Sequence, residues 1–139
     1  ISMVFVVYLA GVFASPAAGH LADRIGRPLV LLAGAAFSIL GLLVTLATPL
    51  AVMMTGITMM TLGFFIVHAI ASGWVGKLAA GNKGHASSLY LLIYYIGSSM
   101  VGSAGGWFWH AGGWPAVAAF EGVLLLLLLA VALRLRRIG

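Results

Sequence analysis

Cysteine is absent from this 139-residue chain, and acids are nearly so, with two Asp plus Glu against seven Lys plus Arg. The first absence excludes disulfides and thiolate metal sites. With so few acids, and with no His/Asp/Glu group at metal-site spacing and no nucleophile–base pair, the sequence points to no enzyme, no metal and no cofactor. Charge of either sign is scarce as well. Only 6% of residues are charged, where a soluble domain carries about a quarter. Water could not solvate such a surface, so lipid must be the solvent for most of it. What is present is apolar: 63% of residues are hydrophobic, and runs such as Val123 to Val131 lack the polar/apolar alternation of a membrane β-barrel.

A membrane-spanning helix needs about 20 mostly apolar residues. Five stretches qualify, at about 1–18, 29–47, 50–72, 86–106 and 115–133. The expected fold is all-α, a polytopic membrane helical bundle of five transmembrane helices without soluble domains. The first span should end near Pro16, and a charged loop should lead through Pro28 into the second. Pro in a first helical turn forfeits no hydrogen bond, because that N–H has no partner anyway. Thr48-Pro49 makes a short turn, so the second and third spans should be antiparallel neighbours. Residues 73–85 read as a second loop, and Trp107, Trp109 and Trp114 cluster at a boundary that indoles favour.

The net charge of +5 might suggest nucleic acid, but its placement argues for a bilayer. Arg24 and Arg27 follow the first span, Lys77 and Lys83 the third, and Arg134, Arg136 and Arg137 the fifth. The alternate connections, Thr48-Pro49 and Trp107 to Trp114, carry no Lys or Arg. Five alternating passes put every positive charge on one face, which the positive-inside rule makes cytoplasmic. The C-terminus is therefore expected in the cytoplasm. Because Ile1 already lies in an apolar run, the sequence is expected to be a fragment with its upstream half missing.

Polar and small residues mark candidate sites within the spans. Thr58, Thr61, Phe65 and His68 follow one helical stripe of the third span. Tyr90, Tyr94, Tyr95, Ser98 and Ser99 crowd the fourth. At that depth polar groups face protein or a water-filled cavity, so Thr58, Thr61, His68, Tyr94, Tyr95 and Ser98 are candidate substrate contacts, with interhelical hydrogen bonding as the alternative. Gly97, Gly102, Gly105 and Gly106 are candidate helix-packing positions, as are Gly34, Ser38 and Gly41 in the second span. Glu121 is the one acid inside a span, and an intramembrane carboxylate is a functional candidate by default.

The most specific pattern is Gly19-x-Leu21-Ala22-Asp23-Arg24-x-Gly26-Arg27. It resembles the cytoplasmic signature of the major facilitator superfamily, G-x-L-x-D-R-x-G-R, and departs from it at Pro28, where a further basic residue is usual. The short tail after the last span and the absence of an antiporter-type Gly-Pro in the fourth favour the second half of the fold, with the spans equivalent to helices 8–12. The stretch from His85 through Tyr94-Tyr95-Ile96-Gly97-Ser98-Ser99 to Gly105-Gly106-Trp107 is similar to helix 11 of YnfM-type inner-membrane permeases, in the arabinose-efflux-permease-like, drug:proton antiporter branch. The resemblance implies transport by alternating access in a bacterial inner membrane, as proton-coupled efflux of a small organic solute (a sugar, drug or metabolite). It also implies that the first, third and fourth spans line the cavity while the second and fifth, with Glu121, are peripheral. Gly19, Asp23, Arg24, Gly26 and Arg27 would form a conformational gate loop. The implied partners are a small-molecule substrate, the lipid bilayer and the missing N-terminal half. The contrasting readings are a non-transporting scaffold or assembly subunit, and a loop that only fixes topology with Asp23 capping a helix.

Overall fold

The computed structural model describes residues 2–138 and is all-helical. Four long apolar helices occur among the described residues, α1 (Ser2–Ile25), α2 (Arg27–Thr45), α3 (Leu50–Leu78) and α4 (Lys83–Ile138), with a short 3₁₀ turn at Ala80–Asn82 before α4. The all-α class is as expected, with four long helices where five were expected, and the helices run past the boundaries that polarity suggested. α1 continues through Pro16 to Ile25, so Gly19 to Ile25 is helix rather than loop. A proline interrupts one backbone bond, and a helix held by packing tolerates that loss. α3 continues six residues beyond the expected end, through Gly73 and Gly76 to Leu78. At about 1.5 Å per residue its 29 residues reach about 43 Å, longer than the ~30 Å hydrocarbon core. Backbone hydrogen bonds continue into water as readily as in lipid, so hydropathy locates the membrane and not the helix end.

The connections are correspondingly tight. α1 and α2 are separated by Gly26 alone, at φ 95° and ψ 144°. A positive φ of this kind costs glycine nothing and strains any residue with a Cβ. Pro28 occupies the first turn of α2, as the sequence indicates.

The expected fourth and fifth spans lie in one element. α4 is 56 residues long and includes Trp107 to Ala111, which sequence polarity placed in a connection. Its helical geometry fails at Gly112 (φ −158°, ψ 17°) and Gly113 (φ 65°, ψ −154°). The rings of Phe108 and Phe120 stack across this break with centroids 4.6 Å apart, although twelve residues of straight helix would separate them by about 18 Å. The chain therefore folds back on itself there. Before the break, α4 packs along α3 through Tyr90 and Tyr94. After it, α4 packs along α2, where Gly122 faces Leu42 and the Trp114 indole donates to Thr45 Oγ1 at 3.2 Å.

α2 is the most enclosed helix. Its buried positions, Val30, Leu31, Gly34, Ala35, Ser38, Gly41, Leu42 and Thr45, recur at helical spacing. Its most extensive contact is with α3, and small residues set the distance: a Cβ added at Gly41 would lie 2.8 Å from the Gly56 carbonyl oxygen, and one at Gly56 2.6 Å from that of Gly41. Gly34 and Gly63 continue the contact. The packing role expected of Gly34, Ser38 and Gly41 is thus realised, with Gly56 and Gly63 as partners. A second contact zone lies at the end of the bundle near Gly26, where Ala18 and Ala22 of α1, Val30 and Leu31 of α2, Ile70 of α3 and Ala132 of α4 form a common core.

Thr45 ties the opposite end of α2 into the bundle. It is fully buried, donates to Leu42 O at 2.6 Å and accepts from Trp114 Nε1. Thr45→Val keeps the shape and leaves the indole N–H without a partner, at an expected cost of about 1–2 kcal/mol. A lowered thermal unfolding midpoint in detergent checks this, and an unchanged midpoint refutes it.

Candidate functional site

Two clusters of polar side chains stand out. The first lies at the α1–α2 turn. Asp23 is in the last turn of α1, and its carboxylate Oδ1 is 3.7 Å from Arg27 Nη2 and 4.0 Å from Lys77 Nζ. Ala22, Asp23, Gly26, Arg27, Pro28 and Trp74 line a groove beside it of about 300 Å³. Arg27 opens α2 and Lys77 closes α3, so one carboxylate links the ends of three helices.

Asp23 makes no capping bond: no side chain caps α2, whose N-cap residue is Gly26. At the C-terminal end of α1 its charge opposes the helix dipole, and Arg27 and Lys77 supply the compensating charge. The reading of Asp23 as a helix cap is therefore corrected. Of the other signature residues, Arg24 is exposed, and a Cβ at Gly19 would meet nothing within 4 Å. Sequence spacing finds Asp23 and Arg27. It misses Lys77, which α3 delivers from fifty residues away by extending beyond its expected end.

The second cluster lies between α3 and α4 and centres on His68. Tyr90 Oη is 3.1 Å from His68 Nδ1. Phe64 stacks on the imidazole at 17° with centroids 5.6 Å apart, and the Tyr94 ring is 4.7 Å away. Contacts continue from Tyr94 to Tyr95, from Phe64 to Phe65, and from Phe65 to Tyr8 of α1. The structure brings together three of the six sequence candidates for substrate contact, His68, Tyr94 and Tyr95, and adds Tyr8 and Phe64. Phe64 stands four residues before His68, so helical spacing would have found it; no local signal marks Tyr8.

The other three candidates have no part in these ring contacts. Thr58 lines a cleft of about 770 Å³ between the first turns of α1 and α3, together with Met3, Val6, Val7 and Met54. Its hydroxyl donates to Met54 O, and that of Thr61 to Ile57 O, each at 2.9 Å. These bonds stay within α3, so neither threonine cross-links helices. Ser98 is exposed, one turn beyond Tyr94 and Tyr95. At Gly97, Gly102, Gly105 and Gly106 an added Cβ would meet nothing within 4 Å, so these glycines face open space while the α2–α3 glycines carry the close packing.

Long apolar helices, a charged one-glycine turn and an aromatic cluster between helices describe a polytopic membrane protein of transporter type. The Major Facilitator Superfamily family model matches residues 1–138, and the chain belongs to that superfamily of membrane transporters, which are not enzymes. It is 43% identical over 128 residues to the uncharacterized MFS-type transporter YybF of Bacillus subtilis (strain 168), covering 92% of this chain and 32% of that protein. It is 42% identical over 137 residues to the inner membrane transport protein YnfM of Escherichia coli (strain K12), covering 99% and 33%. An uncharacterized transporter of Buchnera aphidicola subsp. Schizaphis graminum is 36% identical over 137 residues, with 99% and 33% covered. The chain thus spans about a third of the length of the curated relatives it matches. No solved structure gives a significant match.

Proposed function

We propose that this chain forms helices 8–12 of a twelve-helix transporter that works by alternating access in a bacterial inner membrane, exporting a small organic solute in exchange for protons. The observation that carries the gating part is the Asp23–Arg27–Lys77 cluster. One ion pair, Asp23–Arg27, spans the α1–α2 turn and a second, Asp23–Lys77, joins that turn to the end of α3, at the face holding the chain's positive charge. In alternating access two helix bundles rock about a central site, and this cluster sets the shape of the turn that this bundle presents to the opposing one. Gly19 and Arg24, open on the same segment, face the opposing bundle. The coverage of a third of each relative supports an N-terminal half as partner. The open glycines Gly97, Gly102, Gly105 and Gly106 are the surface it packs against, since close helix contact in lipid favours such residues. The cavity lies along Thr58, Thr61, His68, Tyr94, Tyr95 and Ser98.

Five crossings follow if α4 passes the membrane twice, turning at Gly112–Gly113. The fold-back there, with Phe108 stacked on Phe120, supports this topology. The absence of native cysteine in this chain makes it testable by labelling. A cysteine at Gly81 should react with an impermeant maleimide only from the cytoplasmic side, and one at Ala111 only from the outside. Reaction of both from one side would eliminate the double crossing. The transport reading is tested by reconstituting the intact transporter and following proton flux with a panel of candidate solutes under an imposed pH gradient. Export reading and proton coupling both fall if no solute changes the flux.

A further inference from the structure

We propose that His68 is a proton-binding site within the membrane, with Tyr90 as its hydrogen-bond partner in both charge states and Phe64 and Tyr94 covering the charged ring. In the neutral imidazole the Tyr90 hydroxyl donates to the Nδ1 lone pair. When a proton binds at Nδ1, the hydroxyl rotates and Nδ1–H donates to Tyr90 Oη across the same 3.1 Å contact. No covalent bond other than N–H forms, and the proton is the only species taken up. A phenol suits this position because it both donates and accepts, which Lys, Arg or a carboxylate cannot do without fixing one charge state.

The surroundings favour a transient cation over a permanent ion pair. Phe64 stacks on one side of the ring at 5.6 Å, and Tyr94 approaches at 4.7 Å, both within the ~6 Å at which aromatic π systems attract a cation. On α3 the neighbouring polar groups are Thr61, bonded to Ile57 O, and Ser72, bonded to Ala69 O. From α4 the groups facing His68 are Tyr90 and Tyr94, with Tyr95 against Tyr94. From α1, Tyr8 reaches only as far as Phe65. Among the described residues His68 has no ion-pair partner, and no group of three His, Asp or Glu surrounds it. Nothing there locks the imidazole in its charged form, so the proton can leave again. The contact also joins α3 to α4 before the break, so protonation reverses the polarity of a bond between two of the helices proposed to line the cavity.

The inference rests on the transporter reading only for what the proton does, and its test needs no solute. Intact transporter containing ¹⁵N-histidine is titrated in lipid nanodiscs, the His68 signal being the one lost in His68→Gln. The His68 ring is expected to gain a proton as the pH is lowered. Tyr90→Phe removes the acceptor for Nδ1–H and should lower the midpoint by about one pH unit, a tenfold loss of proton affinity. Tyr94→Leu leaves the phenol and strips one ring face, and should lower it by a smaller amount; it provides the measurement if Tyr90→Phe does not fold. Tyr94→Phe keeps the face and should leave the midpoint in place. A ring that remains neutral throughout, or midpoints indifferent to Tyr90→Phe or Tyr94→Leu, would overturn the proposal. A titrating His68 in a protein that moves no solute leaves the proton site standing and removes the transport reading.

Discussion

Alanine at Gly56 is expected to cost about 3 kcal/mol or more and to eliminate most of the folded, monodisperse protein recovered in detergent. The added Cβ would lie 2.6 Å from the Gly41 carbonyl oxygen and 2.7 Å from the Thr45 amide nitrogen. Both obstacles are backbone, so no rotamer change relieves them, and α2 must move away from α3 along the whole crossing. Overpacking by side-chain contact alone costs roughly 1–3 kcal/mol, and here the Thr45–Trp114 bond and the Gly34–Gly63 approach are strained together. Gly41→Ala faces the Gly56 carbonyl oxygen and Met60 nitrogen at 2.8 Å and should behave alike. Alanine at Gly73, also within α3, meets nothing within 4 Å and serves as the comparison. The measurement is recovered monodisperse protein together with the thermal midpoint. A Gly56→Ala protein as stable as the native one would show that α2 and α3 do not cross as described.

Replacing Asp23 by asparagine should lower transport by the intact protein tenfold or more while leaving its amount and thermal midpoint close to native. The separation of the two effects follows from exposure. The Asp23 side chain is 66% exposed and that of Lys77 61%, and ion pairs in such surroundings contribute only about 0–1 kcal/mol to stability. A gate needs no more, because two conformations that interconvert during a cycle must be close in free energy. Lys77→Gln should produce a smaller loss, since Arg27 still pairs with Asp23. Transport and membrane abundance are measured separately on the same preparations. Normal transport by Asp23→Asn would reduce the turn to a topology signal.

Much of this architecture is legible in the residues because lipid imposes strict rules. Nine charged residues among 139 exclude a soluble fold, and the seven basic ones gather in three connections or tails, the pattern on which the proposed orientation rests. The Gly19–Arg27 pattern leads to the superfamily that the family comparison shows. Helix ends are less legible. Pro16 and Gly73 look like punctuation, yet each lies inside a helix, because a long helix absorbs one lost bond or one missing Cβ. The residues flanking Gly112-Gly113 look like a loop for the same reason, although helix extends to either side of a two-residue break.

The sequence by itself determined the solvent, the secondary-structure class and the signature turn, all of which follow from local composition and spacing. Tertiary structure alone decided which polar groups meet. It paired Asp23 with Lys77, placed Tyr90 on His68, set Trp114 on Thr45, and turned the Thr58 and Thr61 hydroxyls back onto their own helix. It also assigned the close crossing to Gly41 and Gly56 and left Gly97, Gly102, Gly105 and Gly106 of α4 open. The physical reason is that apolar side chains are equally at ease against lipid or protein. Hydropathy therefore cannot choose between the faces of a helix, and that choice falls to close packing and to the few hydrogen bonds that lipid is unable to replace.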